Sequence, residues 1–378
     1  MTRGFVHGQM WRPRISSDLL VPTYMVGVVG AFLQISGGIW DVSSHIIGIV
    51  ETFFTVPHLV LYAGVLLCLV ASLTGVLLRR RLGSSVAPGL FTGLRVSLVG
   101  GALQVIAGPL DLWWHSTYGF DPHLFTPSHS LLITGLVLNG VGMGIAATRL
   151  VQAGRAGIGL GRFSPRTRWL ELLGLVSLCG VWLGLNGLVY LVTDIDGLNY
   201  TFHLGQSWVD AAAPVSFVLM GLLLAGVASL LFIVTKKTFP WNGAVSIVAV
   251  MVAVVVGTAN LGFRAWYQAG IDPSEGARIA GFLPVYFSFL VPVVLLDFVS
   301  GRELNRGRVV LFATLVAPFA SYLDGFYSLI LWVSRPYLVP MLLVPMLAAG
   351  TIAALFRTKF VNLFRYSGPR LTVRPGMK

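Results

Sequence analysis

The sequence predicts an all-α integral membrane protein of about ten transmembrane helices. Of its 378 residues, 56% are hydrophobic and only 11% are charged, whereas soluble domains carry roughly a quarter charged residues. The hydrophobic residues are collected into runs close to the roughly 20 residues that a helix needs to cross a bilayer. Positive charges are concentrated in the connections on one side of these runs. Together these observations exclude a soluble globular fold.

The apolar runs define the predicted membrane helices in chain order. They lie at residues 20–39, 54–77, 91–110, 127–149, 170–192, 211–234, 243–263, 279–299, 308–328 and 337–356. Gly, Asn and Pro interrupt the seventh and ninth runs, which makes these two the weakest candidates. The first run is too long for the apolar core of a cleaved signal peptide and lacks a clear small-residue cleavage site. We therefore expect it to be retained as a membrane anchor.

The basic residues determine the predicted orientation. Of the 26 Lys and Arg residues, 23 lie on one face, in the termini and the connections between hairpins, for example at 79–81 and 302–308. Because Lys and Arg are retained on the cytoplasmic side of a cell membrane, both termini are predicted to be cytoplasmic. The helices then form five outward hairpins. This distribution accounts for the formal net charge of +12 without a nucleic-acid partner.

Acidic residues and histidines lie mainly on the opposite, outward side. Ten of the fourteen Asp and Glu residues, and six of the seven His residues, belong to the outer connections. Ionisable groups near a bilayer are energetically costly, so they usually have a function. The first two hairpins hold the densest group: Asp41, His45, His58, Asp111, His115 and His129.

These six residues form an internal repeat. The first hairpin has the pattern D-x3-H-x12-H and the second has D-x3-H-x13-H, and the two copies start 70 residues apart. The neighbouring text is also similar, FTVPH-LVLYAG in the first copy and FTPSH-SLLITG in the second. Later segments keep only fainter echoes. Residues 151–378 are therefore predicted to hold additional transmembrane helices with degenerate copies of the same hairpin.

The spacing within each copy indicates a metal site. An Asp and a His four residues apart lie on one helix face, one turn apart. The following residues suffice to turn and start the returning helix, whose first turn then carries the second His beside a proline. Two imidazoles and one carboxylate are ligands that suit iron, copper or zinc. The alternative is that these groups only hydrogen-bond each other and the loop backbone at the helix ends.

Residues 25–150 resemble the C subunit of the copper membrane monooxygenases, the particulate methane and ammonia monooxygenases. That subunit carries an Asp-x3-His-x12-His motif ending in F-T-P-S-H, followed by an Asn-x3-His-x13-His motif, and both are metal sites on the outer side of the membrane. The resemblance implies that Asp41, His45 and His58 form one site and that Asp111, His115 and His129 form another. It favours copper, and it implies partner membrane subunits in a symmetric oligomer.

The sequence departs from the family pattern in three respects. Asp111 stands where the family has Asn, so both sites are anionic. The segment GFDPHLFTPSH lacks an Arg that the family carries ahead of F-T-P-S-H. The chain is also longer than the family's C subunit. Residues 1–150 are thus predicted to be the monooxygenase-like region, and residues 151–378 are additional to it.

Four classes of function fit these observations. The leading hypothesis is a metal-binding subunit, with copper as its metal, of a membrane monooxygenase-like oxidoreductase acting on a small substrate such as a hydrocarbon or ammonia. A copper-handling protein, either a transporter or an assembly factor, is the main alternative, although no Met- or Cys-lined path through the helices is evident. A b-type haem protein would leave the aspartates without a role. A non-catalytic structural subunit is the fourth class. The sequence identifies no catalytic residue.

Overall fold

The computed structural model is helical throughout the residues that it describes, apart from turns and short connections. These residues are 19–46, 52–82, 88–119, 123, 125–156, 168–270, 290–300, 305–320 and 338–366. Eight helices within them are long and apolar enough to cross a membrane. The predicted all-α fold is therefore confirmed for the described residues, with eight candidate membrane-spanning helices. The predicted total of ten helices stays a prediction, because parts of the last three apolar runs lie outside the described residues.

We number the described α-helices in chain order. They are α1 (Leu20–Ile46), α2 (Val56–Leu82), α3 (Thr92–Tyr118), α4 (Pro127–Arg155), α5 (Arg168–Thr193), α6 (Ile195–Phe202), α7 (Gln206–Thr238), α8 (Ala244–Gly270), α9 (Leu290–Ser300), α10 (Arg306–Ala320) and α11 (Leu338–Phe364). A short 3-10 helix, Pro88–Phe91, leads into α3. Helices α1 and α3 extend beyond the predicted apolar runs 20–39 and 91–110, and they therefore include Asp41 and Asp111.

The first four helices form an antiparallel bundle. Helix α1 packs against α2 and α4, and α3 packs against α4 and α2, so the four helices close a ring. Short connections between antiparallel neighbours favour this arrangement. The end of α1, the start of α2, the end of α3 and the start of α4 consequently meet at one end of the bundle. All six predicted metal ligands belong to these four helix ends.

Glycines permit the close packing within each helix pair. A Cβ atom added at Gly30 of α1 would lie 2.8 Å from the carbonyl oxygen of Gly64 in α2. A Cβ atom added at Gly100 of α3 would lie 2.6 Å from the carbonyl oxygen of Gly135 in α4. Small residues allow membrane helices to approach until their backbones touch. The two helix pairs therefore repeat the same packing, as well as the same ligand pattern.

The later helices pack beside this bundle and are joined by a buried ion pair. Helix α5 packs against α4, α1, α7 and α8, while α10 and α11 pack against α7. Lys236 of α7 pairs with Asp297 of α9, and both side chains are buried. Asp297 Oδ2 also accepts hydrogen bonds from the backbone N–H (2.8 Å) and the hydroxyl (2.9 Å) of Ser246. A charged pair in this setting requires such full hydrogen bonding, and here it connects α7, α8 and α9.

Candidate metal centre

The first helix pair brings its Asp and two His together. Asp41 and His45 lie in the last two turns of α1, and His58 is the third residue of α2. Asp41 Oδ1 lies 3.7 Å from His45 Nε2 and 2.9 Å from His58 Nε2. Asp41 and His45 are both buried. The Asp41 carboxylate therefore lies between the imidazoles of His45 and His58, within the pair formed by α1 and α2.

The second helix pair repeats this arrangement. Asp111 and His115 lie near the end of α3, and His129 is the third residue of α4, directly after Pro127 and Ser128. Asp111 Oδ1 lies 3.5 Å from His115 Nε2 and 3.4 Å from His129 Nε2. The Thr126 side chain accepts a hydrogen bond from the backbone N–H of His129 at 3.4 Å and so caps the start of α4. This contact fixes His129 in the first turn of the helix. Pro127 is well tolerated at this helix start.

The two helix pairs also meet each other. His45 of α1 joins His115 of α3 and His129 of α4 in a group whose potential metal-binding atoms all lie within 4.8 Å of one another. The ring centroids are 5.4 Å apart for His45 and His129, and 5.7 Å apart for His45 and His115. His115 and His129 have ring centroids 5.8 Å apart. The histidines thus group across the pairs, whereas the sequence spacing grouped them only within each pair.

Three of the histidines are oriented by backbone carbonyl oxygens. The contacts are His58 Nδ1 with Thr52 O (2.9 Å), His115 Nδ1 with Gly119 O (3.2 Å) and His129 Nδ1 with His123 O (3.2 Å). A carbonyl oxygen only accepts, so the proton of each neutral ring lies on Nδ1. Nε2 then carries the lone pair and faces the carboxylate. Metal-binding histidines are commonly held in this way, because the outer hydrogen bond fixes the tautomer and the ring orientation.

The charges of the site fit a divalent cation. In a neutral imidazole whose proton is on Nδ1, Nε2 is an acceptor, as is a carboxylate oxygen, yet His58 Nε2 lies only 2.9 Å from Asp41 Oδ1. Either a proton or a metal ion between these atoms turns the contact from repulsive to attractive. Asp41 and Asp111 together contribute two negative charges at the end of an apolar bundle, where uncompensated charge is costly. A doubly charged ion would neutralise both.

The dimensions of the histidine group are close to those of a first-row metal site. Two nitrogens bound to one tetrahedral ion at about 2.1 Å are about 3.4 Å apart. Since the three potential ligand atoms lie within 4.8 Å of one another, the rings need to approach each other by up to roughly 1.4 Å, which side-chain rotation can supply. His45, His115 and His129 could therefore hold one ion.

A buried layer of amides lies deeper in the same bundle. Asn139 Nδ2 of α4 donates to Gln34 Oε1 of α1 at 3.1 Å and to Gln104 Oε1 of α3 at 2.6 Å. Ser97 Oγ donates to Asn139 Oδ1 at 2.7 Å. All four side chains are buried. This network connects three of the four helices that carry the candidate metal centre.

The amide layer belongs to the internal repeat, although the spacing of the metal-ligand residues did not predict it. Gln34 precedes Asp41 by seven residues, and Gln104 precedes Asp111 by the same number. Seven residues are two helical turns, or about 10 Å, so each Gln lies beneath its Asp on the same helix face. The constant offset of 70 residues between Gln34 and Gln104 was a signal in the sequence. A pattern of metal ligands does not contain this signal, because glutamine is seldom a metal ligand.

The later part of the chain supports His129 through a short segment. The carbonyl oxygen of His123 accepts the proton of His129 Nδ1. Two residues on, the backbone N–H of Phe125 donates to Asp194 Oδ2 at 3.1 Å. The hydroxyl of Thr201 in α6 donates to the carbonyl oxygen of Phe125. Residues outside the repeat therefore help to position a candidate ligand.

Other polar residues of the outer connections have structural roles or lie outside the described residues. Asp194 caps α6, since its Oδ1 accepts a hydrogen bond from the backbone N–H of Gly197 at 2.9 Å. The ring of His123 packs against Tyr200, with centroids 5.4 Å apart. Glu51 and Asp121 lie outside the described residues.

No protein-family model, curated protein or solved structure matches this chain. Inference about its function therefore depends on the geometry of the candidate metal centre and on the sequence pattern that produces it.

Proposed function

We propose that this chain is the metal-binding subunit of a membrane monooxygenase-like oxidoreductase that acts on a small substrate such as a hydrocarbon or ammonia. One observation supports this most strongly, the convergence of His45, His115 and His129 from three different helices with two aspartates beside them. A structural role alone requires hydrogen-bonded pairs and does not require three histidines to meet across two helix pairs. The motif resemblance to the copper membrane monooxygenases supports the same function.

Copper is the proposed metal, and iron and zinc are the alternatives. Imidazole nitrogens suit all three ions, and carboxylates broaden the choice towards iron and zinc. The residues proposed to hold the metal are Asp41, His45, His58, Asp111, His115 and His129. Bound copper or iron would supply the redox chemistry by which oxygen is activated. The chain itself supplies the ligands, their orientation through the Nδ1 contacts, and an apolar bundle that limits access of water.

The proposed topology places this centre at the outer surface of the cell membrane. In this proposal ten helices form five outward hairpins with both termini in the cytoplasm. Its support is the sequence asymmetry of 23 basic residues on one face against three on the other. Helix α2 has the same polarity, since His58 lies near its start and Arg79 near its end. Cysteine-accessibility labelling of both ends of α2 in intact cells tests this orientation.

The proposed assembly contains further membrane subunits. Residues 1–150 are proposed as the monooxygenase-like region, and residues 151–378 as additional helices that pack beside it. Large exposed apolar side chains, such as Trp169 (74% exposed) and Val215 (68% exposed), are compatible with contact to lipid or to partner subunits. We propose a symmetric hetero-oligomer, which copurification from native membranes tests.

Metal analysis and an oxidation assay together test the proposed function. The protein purified with its native partners is examined for copper, iron, zinc and haem and by electron paramagnetic resonance. Native membranes with wild-type protein are then compared with His115→Ala membranes for oxidation of ammonia or a hydrocarbon. The oxidoreductase function is supported if the protein binds metal and an oxidation product forms in wild-type membranes but not in His115→Ala membranes. Metal-dependent uptake or delivery without any oxidation product supports the copper-handling alternative. Absence of bound metal in both proteins contradicts both functions and leaves a structural subunit.

A further inference from the structure

A second site lies at the opposite end of the bundle from the candidate metal centre. A cavity of about 470 Å³ is situated between the end of α2 and the start of α3. It is lined by Val76, Arg79, Arg80, Phe91, Leu94 and Arg95. Three of these six residues are arginines. The cavity therefore concentrates positive charge between two membrane-spanning helices.

The arginines of this cavity are not neutralised within the described part of the chain. None of the ion pairs between described residues, such as those of Arg155 and Lys236, involves Arg79, Arg80 or Arg95. Arg79 is half-buried, and its buried Nη1 atom has no hydrogen-bond acceptor among the described residues. A buried guanidinium N–H without an acceptor is costly. The site therefore lacks an anionic group that would accept from the arginines.

Exposed apolar stripes lead from the arginines along both helices. On α2, Leu73 (52% exposed) and Leu77 (56% exposed) precede Arg80 by seven and three residues, and so share its helix face. On α3, Val99 (55% exposed) and Ile106 (59% exposed) follow Arg95 by four and eleven residues and lie on its helix face. Both stripes belong to helices that are long and apolar enough to cross a membrane. They offer surface to hydrocarbon chains beside a positively charged cavity.

We propose that this cavity binds the phosphate of an anionic phospholipid, whose acyl chains lie along the stripes of α2 and α3. Guanidinium groups bind phosphate oxygens in a bidentate manner and keep their charge at all physiological pH values. Basic pockets between transmembrane helices are a recurring site for acidic lipid headgroups. Inorganic phosphate satisfies the arginines equally well but leaves the apolar stripes uncovered. This site is independent of the proposed metal function.

Native mass spectrometry of the delipidated full-length protein in detergent tests this proposal. The protein is titrated separately with phosphatidylglycerol, phosphatidylcholine and inorganic phosphate. We expect phosphatidylglycerol to bind about tenfold more tightly than phosphatidylcholine, the ratio expected from charge-assisted hydrogen bonds. The double variant Arg79→Gln/Arg95→Gln should lose this preference. Arg81→Gln, which removes an exposed charge at the same helix end but outside the cavity lining, should keep it.

Three results would overturn the proposal. They are equal binding of both lipids by the wild type, an unchanged preference in the double variant, and binding of inorganic phosphate with no additional affinity for phosphatidylglycerol. The last result identifies a site for a free anion. If the glutamine variants do not fold, Arg79→Lys/Arg95→Lys takes their place, because it keeps the charge but lacks the bidentate geometry. A reduced preference in the lysine variant supports the proposal, and an unchanged preference contradicts it.

Discussion

His45 and His129 belong to different helix pairs and are 84 positions apart in the sequence, yet their ring centroids are only 5.4 Å apart. Both residues are buried. Their contact joins two copies of a repeated motif into one cluster, which also includes His115. If a metal binds at this cluster, ligands of one copy of the motif are therefore expected to affect metal binding by the other copy.

A shared centre predicts that His45 is as important for metal binding as His129. We expect His45→Ala and His129→Ala each to weaken metal binding by about tenfold or more, because each removes one imidazole from the same group. Metal titration followed by electron paramagnetic resonance measures this effect. His123→Ala is the matched control, since the ring of His123 packs against Tyr200 and the substitution keeps the carbonyl oxygen used by His129. Two independent centres would instead leave half of the metal unaffected in each variant.

The two aspartates are predicted to contribute unequally. Asp41 is buried and approaches His58 Nε2 to 2.9 Å, whereas the shortest contact of Asp111 to a histidine nitrogen is 3.4 Å. Asn has nearly the shape of Asp but no charge, so Asp41→Asn should weaken binding of a divalent metal by about tenfold, and Asp111→Asn by less. Isothermal titration with the metal compares them. The exposed Asp210→Asn should bind as the wild type does. Equal losses at positions 41 and 210 would mean that only overall charge matters.

Much of the local arrangement followed from sequence spacing. Asp41 and His45 are four residues apart, which predicts a common helix face because an α-helix has 3.6 residues per turn. His58 and His129 were expected in the first turn of a returning helix, and α2 and α4 do begin two residues before them. These features depend on one helix or one turn, so that local chemistry determines them.

The grouping across helix pairs did not follow from spacing. That His45 approaches His129 depends on the packing of α1 against α4, which involves side chains far apart in sequence. The contact of Thr201 with Phe125 is similar, since the two residues are separated by 76 positions. Periodicity reports which face of a helix is polar but not which helix that face will meet. Gly30 and Gln34 recur at the same 70-residue offset, as Gly100 and Gln104, and so belong to the repeat together with the ligands.

The glycines at the helix contacts are predicted to be required for packing. A Cβ atom at Gly64 would lie 2.5 Å from the backbone nitrogen of Gln34, and backbone cannot move aside as a flexible side chain can. Gly64→Ala should therefore lower the free energy of unfolding by about 1–3 kcal/mol, the usual cost of overpacking. Gly180→Ala is the control, because nothing lies within 4 Å of a Cβ atom there. Unfolding by sodium dodecyl sulfate titration distinguishes them. Equal midpoints would contradict the close approach of α1 and α2.

The amide layer is predicted to stabilise the bundle. Leucine at position 34 or 104 removes an acceptor of Asn139 Nδ2, and a buried polar group without its partner is costly. We expect Gln34→Leu and Gln104→Leu each to lower the free energy of unfolding by about 1 kcal/mol, since hydrogen bonds in membrane helices are of modest strength. The exposed Gln206→Leu serves as the comparison in the same titration. Stability gained by both buried substitutions would show that the layer does not stabilise the fold.

Contacts between α6 and Phe125 lie close in sequence to the carbonyl oxygen that holds His129. We therefore predict that substitutions at α6 change metal binding at the candidate centre. Asp194 and Thr201 hold the backbone N–H and carbonyl oxygen of Phe125, and this segment presents the carbonyl oxygen of His123 to His129 Nδ1. Loss of either contact should let the His129 ring rotate. Loss of an outer hydrogen bond to a metal ligand typically weakens metal binding by at least about tenfold. We therefore expect Asp194→Asn and Thr201→Val each to weaken metal binding by up to about tenfold.

Electron paramagnetic resonance of the metal-loaded protein separates such repositioning from simple destabilisation. Both variants should change the nitrogen hyperfine pattern while the protein remains folded and monodisperse. Asp196→Asn removes the same charge from an exposed position of α6 and should leave the spectrum unchanged. If all three proteins show the wild-type spectrum and affinity, α6 does not position His129. If affinity falls in all three alike, the effect arises from the charge of the outer surface and not from the contacts to Phe125.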